Sequence, residues 1–248
     1  MLSKSVSRGL SAFALMCVVW CGSAYAQDFQ KSYPVGAGAT ISIKNVSGDV
    51  NITGYDGETP TVAAYREGRD REMVEVVDTS DANSVRLGVR YPRQCNCDAS
   101  VRFEVRLPRN TRYQVGPVST ASGNVEVRGV SGEINISTAS GNVTVKDVTG
   151  SVRASSASGN VEAELSRTDG ARDLSFSTAS GDVSVKLPSS ADATVRMSTA
   201  SGTVNTDFPL NVEKHQYSGG QSARGQIGSG AVQLKLSSAS GNVSLNRM

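Results

Sequence analysis

Few side chains in this sequence are of types that do chemistry. Cys95 and Cys97 flank Asn96, and the one histidine is His215. A Cys-x-Cys pair in an oxidising compartment can close a small, strained local ring, bridge two chains, join a metal site or take part in redox exchange. The local disulfide is the expectation. Asp98 adjoins the pair but His215 is remote in sequence, which weakens a metal set, and no helix start follows the pair to activate a thiol. A Ser-His-Asp triad would have to use His215, which lies in a Gly/Ser-rich stretch without a nucleophile elbow. Acidic residues such as Glu126, Glu162 and Asp182 are the material for paired-carboxylate glycoside chemistry, yet single carboxylates along an outer strand face are ordinarily solvated surface. The stretch Arg224 to Gly230 is no phosphate loop, because Ala231 to Leu236 alternates like a strand where a helix would have to begin. No catalytic residue, cofactor or metal site is expected, and the chain reads as non-enzymatic.

The elements that would position such residues are set by a repeat. Glycines fall at Gly123, Gly132, Gly141, Gly150 and Gly159, nine residues apart. Thr120-Ala121-Ser122-Gly123-Asn124-Val125 recurs as Thr138 to Val143 and Ser156 to Val161, with Val130-Ser131-Gly132 and Val148-Thr149-Gly150 between, so the full unit is eighteen residues. Two and four places after each glycine stand apolar residues: Val125 and Val127, Ile134 and Ile136, Val143 and Val145, Val152 and Ala154, Val161 and Ala163. A period of two predicts half-buried strands, and Gly beside Ser, Asn or Asp predicts tight corners. Two such strands cannot bury their valines alone, so coils must stack. The expected fold is an all-β, parallel β-solenoid with two short strands and about 18–22 residues per rung; strict self-similarity disfavours an all-β sandwich.

Outside the repeat the chain divides further. Residues 1–26 carry Lys4 and Arg8, an apolar run from Leu10 to Trp20 and an Ala24-Tyr25-Ala26 cleavage site, which together read as a signal peptide. Its removal takes two of the 25 Lys plus Arg and none of the 23 Asp plus Glu, leaving 23 against 23. A neutral chain is a poor electrostatic partner for nucleic acid or anionic lipid. Residues 27–115 are expected to form irregular N-terminal rungs that cap the stack, and residues 116–248 the regular rungs.

Later copies at Thr178 to Val183, Thr199 to Val204 and Ser238 to Val243 are spaced more widely, so extra residues bulge at one edge. The candidate binding loops there are Ser166 to Arg172, with Arg167, Asp169 and Arg172, and Asp207 to Gly230, with Phe208, His215, Tyr217 and Arg224. If Ala121 and its equivalents point inward, the flanking Thr120/Ser122, Thr138/Ser140 and Ser156/Ser158 form outward hydroxyl rows that resemble those of ice-binding proteins. The simpler role of such residues is to bond tight corners along the stack. The last strand ends near Met248 with no capping segment, which predicts an open parallel edge and self-association through it.

The opening from Tyr33-Pro34-Val35 through Ile41-Ser42-Ile43-Lys44-Asn45-Val46-Ser47-Gly48-Asp49-Val50, then Leu107-Pro108 and serial Ser-Gly-Asn/Asp-Val units, resembles the bacterial "putative adhesin" family of β-strand-repeat domains of unknown function. The resemblance spans about Tyr33 to Leu245 and implies surface adhesion without catalytic residues. The expected function is an exported adhesin-like structural and binding module for a surface glycan or envelope protein. The alternative is a periplasmic envelope-homeostasis protein acting through protein association. A carbohydrate-active enzyme ranks below both.

Overall fold

The computed structural model describes residues 28–168, 170–214 and 219–248. The predicted leader, Asp169, His215 and Tyr217 lie outside these residues. The described chain is all-β apart from one short 3-10 turn at Arg71–Met73. Its first part holds β1 (Phe29–Ser32), β2 (Thr40–Lys44), β3 (Val50–Tyr55), β4 (Thr61–Glu67), β5 (Glu75–Asp78), β6 (Ser84–Arg90) and β7 (Ser100–Pro108). The repeats follow as β8 (Arg112–Ser122), β9 (Val125–Arg128), β10 (Ser131–Ser140), β11 (Val143–Lys146), β12 (Val152–Ser158), β13 (Val161–Glu164), β14 (Asp173–Ser180) and β15 (Val183–Leu187). The remainder comprises β16 (Ala193–Ser201), β17 (Val204–Thr206), β18 (Asn211–Lys214), β19 (Gln221–Ile227), β20 (Val232–Ser240) and β21 (Val243–Arg247).

Two unclosed sheets result. The first runs β1-β4-β7-β3-β9-β11-β13-β15-β21-β17, and the second β18-β19-β16-β20-β14-β12-β10-β8-β2-β6-β5. The alternating apolar residues of the repeat all turn into the space between them; Val125, Val143, Val161 and Val183 are fully buried and stand in register across parallel strands. Ile134 pairs with Val152, eighteen residues on, and Val152 with Leu174, 22 residues on, so the longer spacing is absorbed outside the strands. The arrangement is solenoid-like, as expected.

Three features depart from the expected parallel stack. The sheets are mixed: β4 pairs antiparallel with β1 and β7, β5 with β6, and β19 with β16 and β18. Several strands are long, with β8 reaching 11 residues. Spatial order also differs from chain order at both ends. The coil β2–β3 lies between β6–β7 and β8–β9, and the final coil β20–β21 lies between β14–β15 and β16–β17. The open C-terminal edge expected from the sequence is therefore absent, because β21 bonds β15 on one side and β17 on the other. Insertion of β18 and β19 makes this possible: the chain overshoots, turns back antiparallel along β16, and then fills the gap beside β14.

The glycine cluster at the end of this detour divides in two. Arg224 to Ile227 belongs to strand β19, and only Gly228 to Gly230 forms the turn. Asp192 holds that turn. Its carboxylate accepts bonds from Ser229 Oγ and the backbone N–H groups of Gly230 and Ala231, and the Ser229 bond above all draws its pKa below the usual carboxylate value.

At the N-terminal end, Lys31 of β1 meets Asp78 of β5 at 2.6 Å, and the Tyr33 hydroxyl donates to the same carboxylate at 3.0 Å, tying the outer strand of one sheet to the outer strand of the other. Burial pushes the Asp78 pKa up, but the bonds from Lys31, Ser80 and Tyr33 outweigh it and hold the group well below its ordinary value. A depressed folded-state pKa gives stability that is complete above about 3.9, the unfolded value, and is lost as pH falls through the folded value. Asp78→Asn is thus expected to lower the urea midpoint at neutral pH, with the gap to the unmodified protein narrowing in titrations carried below pH 4.

Candidate binding surface

The Thr-Ala-Ser-Gly-Asn/Asp corner governs what each face presents. Thr120, Thr138, Ser156, Thr178, Thr199 and Ser238 are buried, while the alanines that follow them are exposed. This reverses the orientation on which outward threonine rows depended. The reason is a carbonyl that has to be satisfied: Thr138 Oγ1 donates to Gly123 O at 3.1 Å, Ser156 Oγ to Gly141 O at 2.9 Å, Thr178 Oγ1 to Gly159 O at 2.8 Å, Ser238 Oγ to Gly181 O at 2.8 Å and Thr199 Oγ1 to Gly241 O at 2.8 Å. Each hydroxyl bridges one coil to its spatial neighbour. These carbonyls are part-buried, and one left without a partner away from water costs more than a typical bond returns, so the hydroxyl faces in and the alanine methyl faces out.

A second ladder runs beside it. Asp49 Oδ1 accepts the Asn124 N–H, Asn124 Oδ1 that of Asn142, Asn142 Oδ1 that of Asn160, Asn160 Oδ1 that of Asp182, and Asp182 Oδ1 that of Asn242. Asp182 is accordingly a corner residue. Glu126 and Glu162 stand on the outer face of the first sheet with the Thr144 strand between them, and Glu126 bonds Arg128 at 2.8 Å. The three acidic residues share no cleft. Among the described residues no three His, Cys, Asp or Glu side chains converge as a metal set. The Cα atoms of Cys95 and Cys97 are 5.1 Å apart, inside the range for a disulfide.

The outer face of the second sheet carries two hollows. Ser155, Ser177, Ser237 and Ser198, with Ala157, Ala179, Ala239 and Ala200, line a shallow trough of about 820 Å³ that crosses the strands. A smaller hollow of about 400 Å³ lies near the bulge that Gly116-Pro117 puts into β8, where Gln114, Glu133, Arg153, Arg172 and Asp173 project. The sequence-selected residues divide between several environments. Arg167 is exposed in the β13–β14 connection. Arg172 ends that connection at the hollow, its N–H bonded to Ser151 Oγ at 3.1 Å. Phe208 is no surface contact: it is 4% exposed, with the Arg247 guanidinium 5.0 Å over its ring, because the end of the core needs an apolar plug. Arg224 is exposed on β19, directly opposite Arg196 on β16. Reading along the chain did not select Arg196 or Lys235, whose neighbours are decided by the interleaved strand order.

The chain belongs to the Toastrack DUF4097 family, whose profile matches residues 34–246. This agrees with the resemblance carried by the Ser-Gly-Asn/Asp-Val units. The fold is similar to that of a putative cell adhesion protein from Clostridium sporogenes, at 12% identity over 89% of this chain and 99% of that chain, with a TM-score of 0.54. A putative adhesin from Bacteroides fragilis aligns over 89% of this chain and 96% of that chain at 12% identity, with a TM-score of 0.40. No curated protein matches the chain.

The corner chemistry is testable one residue at a time. Gly159 has φ +142°, and a Cβ on it would lie 2.1 Å from Gly141 O, whereas a Cβ on Gly36 meets nothing within 4 Å. Gly159→Ala is expected to cost about 3 kcal/mol in urea unfolding, and Gly36→Ala to be neutral. Thr178→Val removes the bond to Gly159 O and should cost about 1–3 kcal/mol, with Thr178→Ser restoring most of it.

Proposed function

We propose that this protein is an exported, non-enzymatic β-solenoid, built of 18–22-residue rungs, that acts as an adhesin-like binding module for a glycan or protein of the cell envelope. The observation that carries this reading is the separation of roles within each coil. One corner is fixed by buried hydroxyl, glycine and asparagine ladders, while the length differences collect in the connections 165–172, 188–192 and 207–231, all of which lead into or belong to the second sheet. A scaffold that holds one corner constant and varies the segments beside one face has the layout of a display surface. Similarity in fold to a putative cell adhesion protein supports the same direction. The exposed alanines and serines of that face offer no acid–base pair, so recognition rather than turnover is the chemistry it suits.

The alternative, a periplasmic protein acting by association with another envelope component, differs in where the face is displayed. Protease treatment of intact cells separates the two. Digestion of the protein on intact cells is the expected outcome; protection until the outer membrane is permeabilised would transfer the role to the periplasm.

A further inference from the structure

The second sheet carries a row of charge that chain order conceals. Lys235 of β20 stands in register with Arg196 of β16, and Arg196 with Arg224 of β19. The three lie on adjacent strands, about 4.8 Å from one to the next. All three are exposed, and among the described residues none makes an ion pair or a side-chain hydrogen bond. The row continues through neutral Ser175 to Arg153, which Asp173 neutralises at 2.7 Å, and ends at Asn211 on β18. Glu213, also on β18, takes a bond from Asn211 at 3.3 Å and stands opposite Ser222 rather than an arginine.

Like charges directly opposite one another across strands destabilise a sheet. Elsewhere this chain relieves such charges: Arg128 with Glu126, Arg86 with Asp81, Arg90 with Glu75 and Arg102 with Glu67. On the first sheet the corresponding outer row reads Arg128, Lys146, Glu164, Lys186, so an acid interrupts it. The trio on the second sheet is a longer like-charge run than the Arg128–Lys146 pair and has no acid beside it, and breaches of a local rule are expected at functional or strained sites.

On β20 and β16 the serine and alanine trough lies two residues further along on the same face, with Ser237 and Ser198 beside Lys235 and Arg196. Its long direction crosses the strands, so a chain lying in it meets hydroxyls at the strand spacing, Lys235 and Arg196 along one bank, and Arg224 on the next strand beyond its end. We propose that this face is a docking strip for a linear anionic polysaccharide. Its carboxylate, sulfate or phosphate groups pair with Arg196, Arg224 and Lys235, and its hydroxyls bond the serines. The proposal rests on the binding-module reading and names its ligand class.

The lining argues against other polymers. Single-stranded nucleic acid needs aromatic platforms for its bases, and the trough has only serine, threonine and alanine. Three cations neutralise too few phosphates for useful duplex binding at physiological salt. A protein partner wants a central aromatic or large apolar anchor pocket, which this lining does not offer. Guanidinium groups match planar anions in bidentate geometry, and small side chains let a sugar chain approach the sheet.

The test uses the purified full chain with dextran sulfate and polygalacturonate as probes, and neutral dextran and duplex DNA as comparators, at low and physiological salt. Binding of at least one anionic polysaccharide is expected, without binding of neutral dextran. The triple variant Arg196→Gln, Arg224→Gln, Lys235→Gln is expected to weaken it at least tenfold. A charge-matched triple on the other sheet, Arg128→Gln, Lys146→Gln, Lys186→Gln, is expected to change it less than twofold. Because the first triple removes like-charge repulsion, its melting temperature should stay level or rise by about 2 °C, which separates lost binding from lost fold. Equal loss in both triples, no polyanion binding by the unmodified chain, or DNA binding as tight as polysaccharide binding would each overturn the strip. Retention of a neutral glycan or envelope-protein ligand by the first triple would sink the strip and leave the module reading intact. Absence of any ligand at the cell surface would remove both.

Discussion

The regular coils of this protein depend on a glycine carbonyl that a neighbouring coil satisfies. At each Ser-Gly-Asn/Asp corner the glycine carbonyl points along the stack, and the buried hydroxyl of the neighbouring coil reaches it. The same glycine has to lack a Cβ, since a methyl on Gly141 would sit 2.0 Å from Gly123 O and one on Gly241 1.9 Å from Gly181 O. Hydroxyl, glycine and asparagine therefore form one unit of close approach. Stacking at the corner then sets the register of the strands, and register places valine over valine in the narrow core. The hydrophobic burial is the larger driving force, but the corner decides which coil lies on which.

The ends of the stack follow from the hazard of open edges. A parallel coil presents unpaired backbone groups on its last strand, which invites further pairing. Here neither the first regular coil nor the last remains at an end, because later or intervening segments are laid outside it. Antiparallel strands finish the second sheet at both ends and the first sheet at β1, and the short strand β17, only three residues long, finishes the other side. Its first N–H is taken by the Gln221 side chain at 2.9 Å.

On the proposed reading, a stack of this kind recognises by presenting its outer faces. The first sheet mixes acids and bases on its outer face, while the second gathers uncompensated cations beside a bed of small residues. The detour through β18 and β19 that seals the end of the stack is the same segment that brings Arg224 alongside Arg196. Closure of the fold and construction of the surface are thus one structural event, which links the largest insertion in the chain to the Lys235, Arg196, Arg224 row.

Much of this was legible along the chain. The period of two named the buried residues of the repeats, from Val125 and Val127 to Val161 and Ala163, because strand alternation is a local property. The spacing of Gly beside Ser, Asn or Asp predicted the tight corners for the same reason. The direction of the Thr120 and Ala121 side chains was not legible, since it turns on which polar group a neighbouring coil leaves unsatisfied. Nor was the burial of Phe208, which depends on the shape of the core's end. Sequence alone determined the strands, the repeat and the family. Tertiary structure decided the interleaved order of the first and last coils, the mixed sheets and the Lys235, Arg196, Arg224 row, because pairing between strands distant in sequence is fixed by edge closure and long-range register, which no local period encodes.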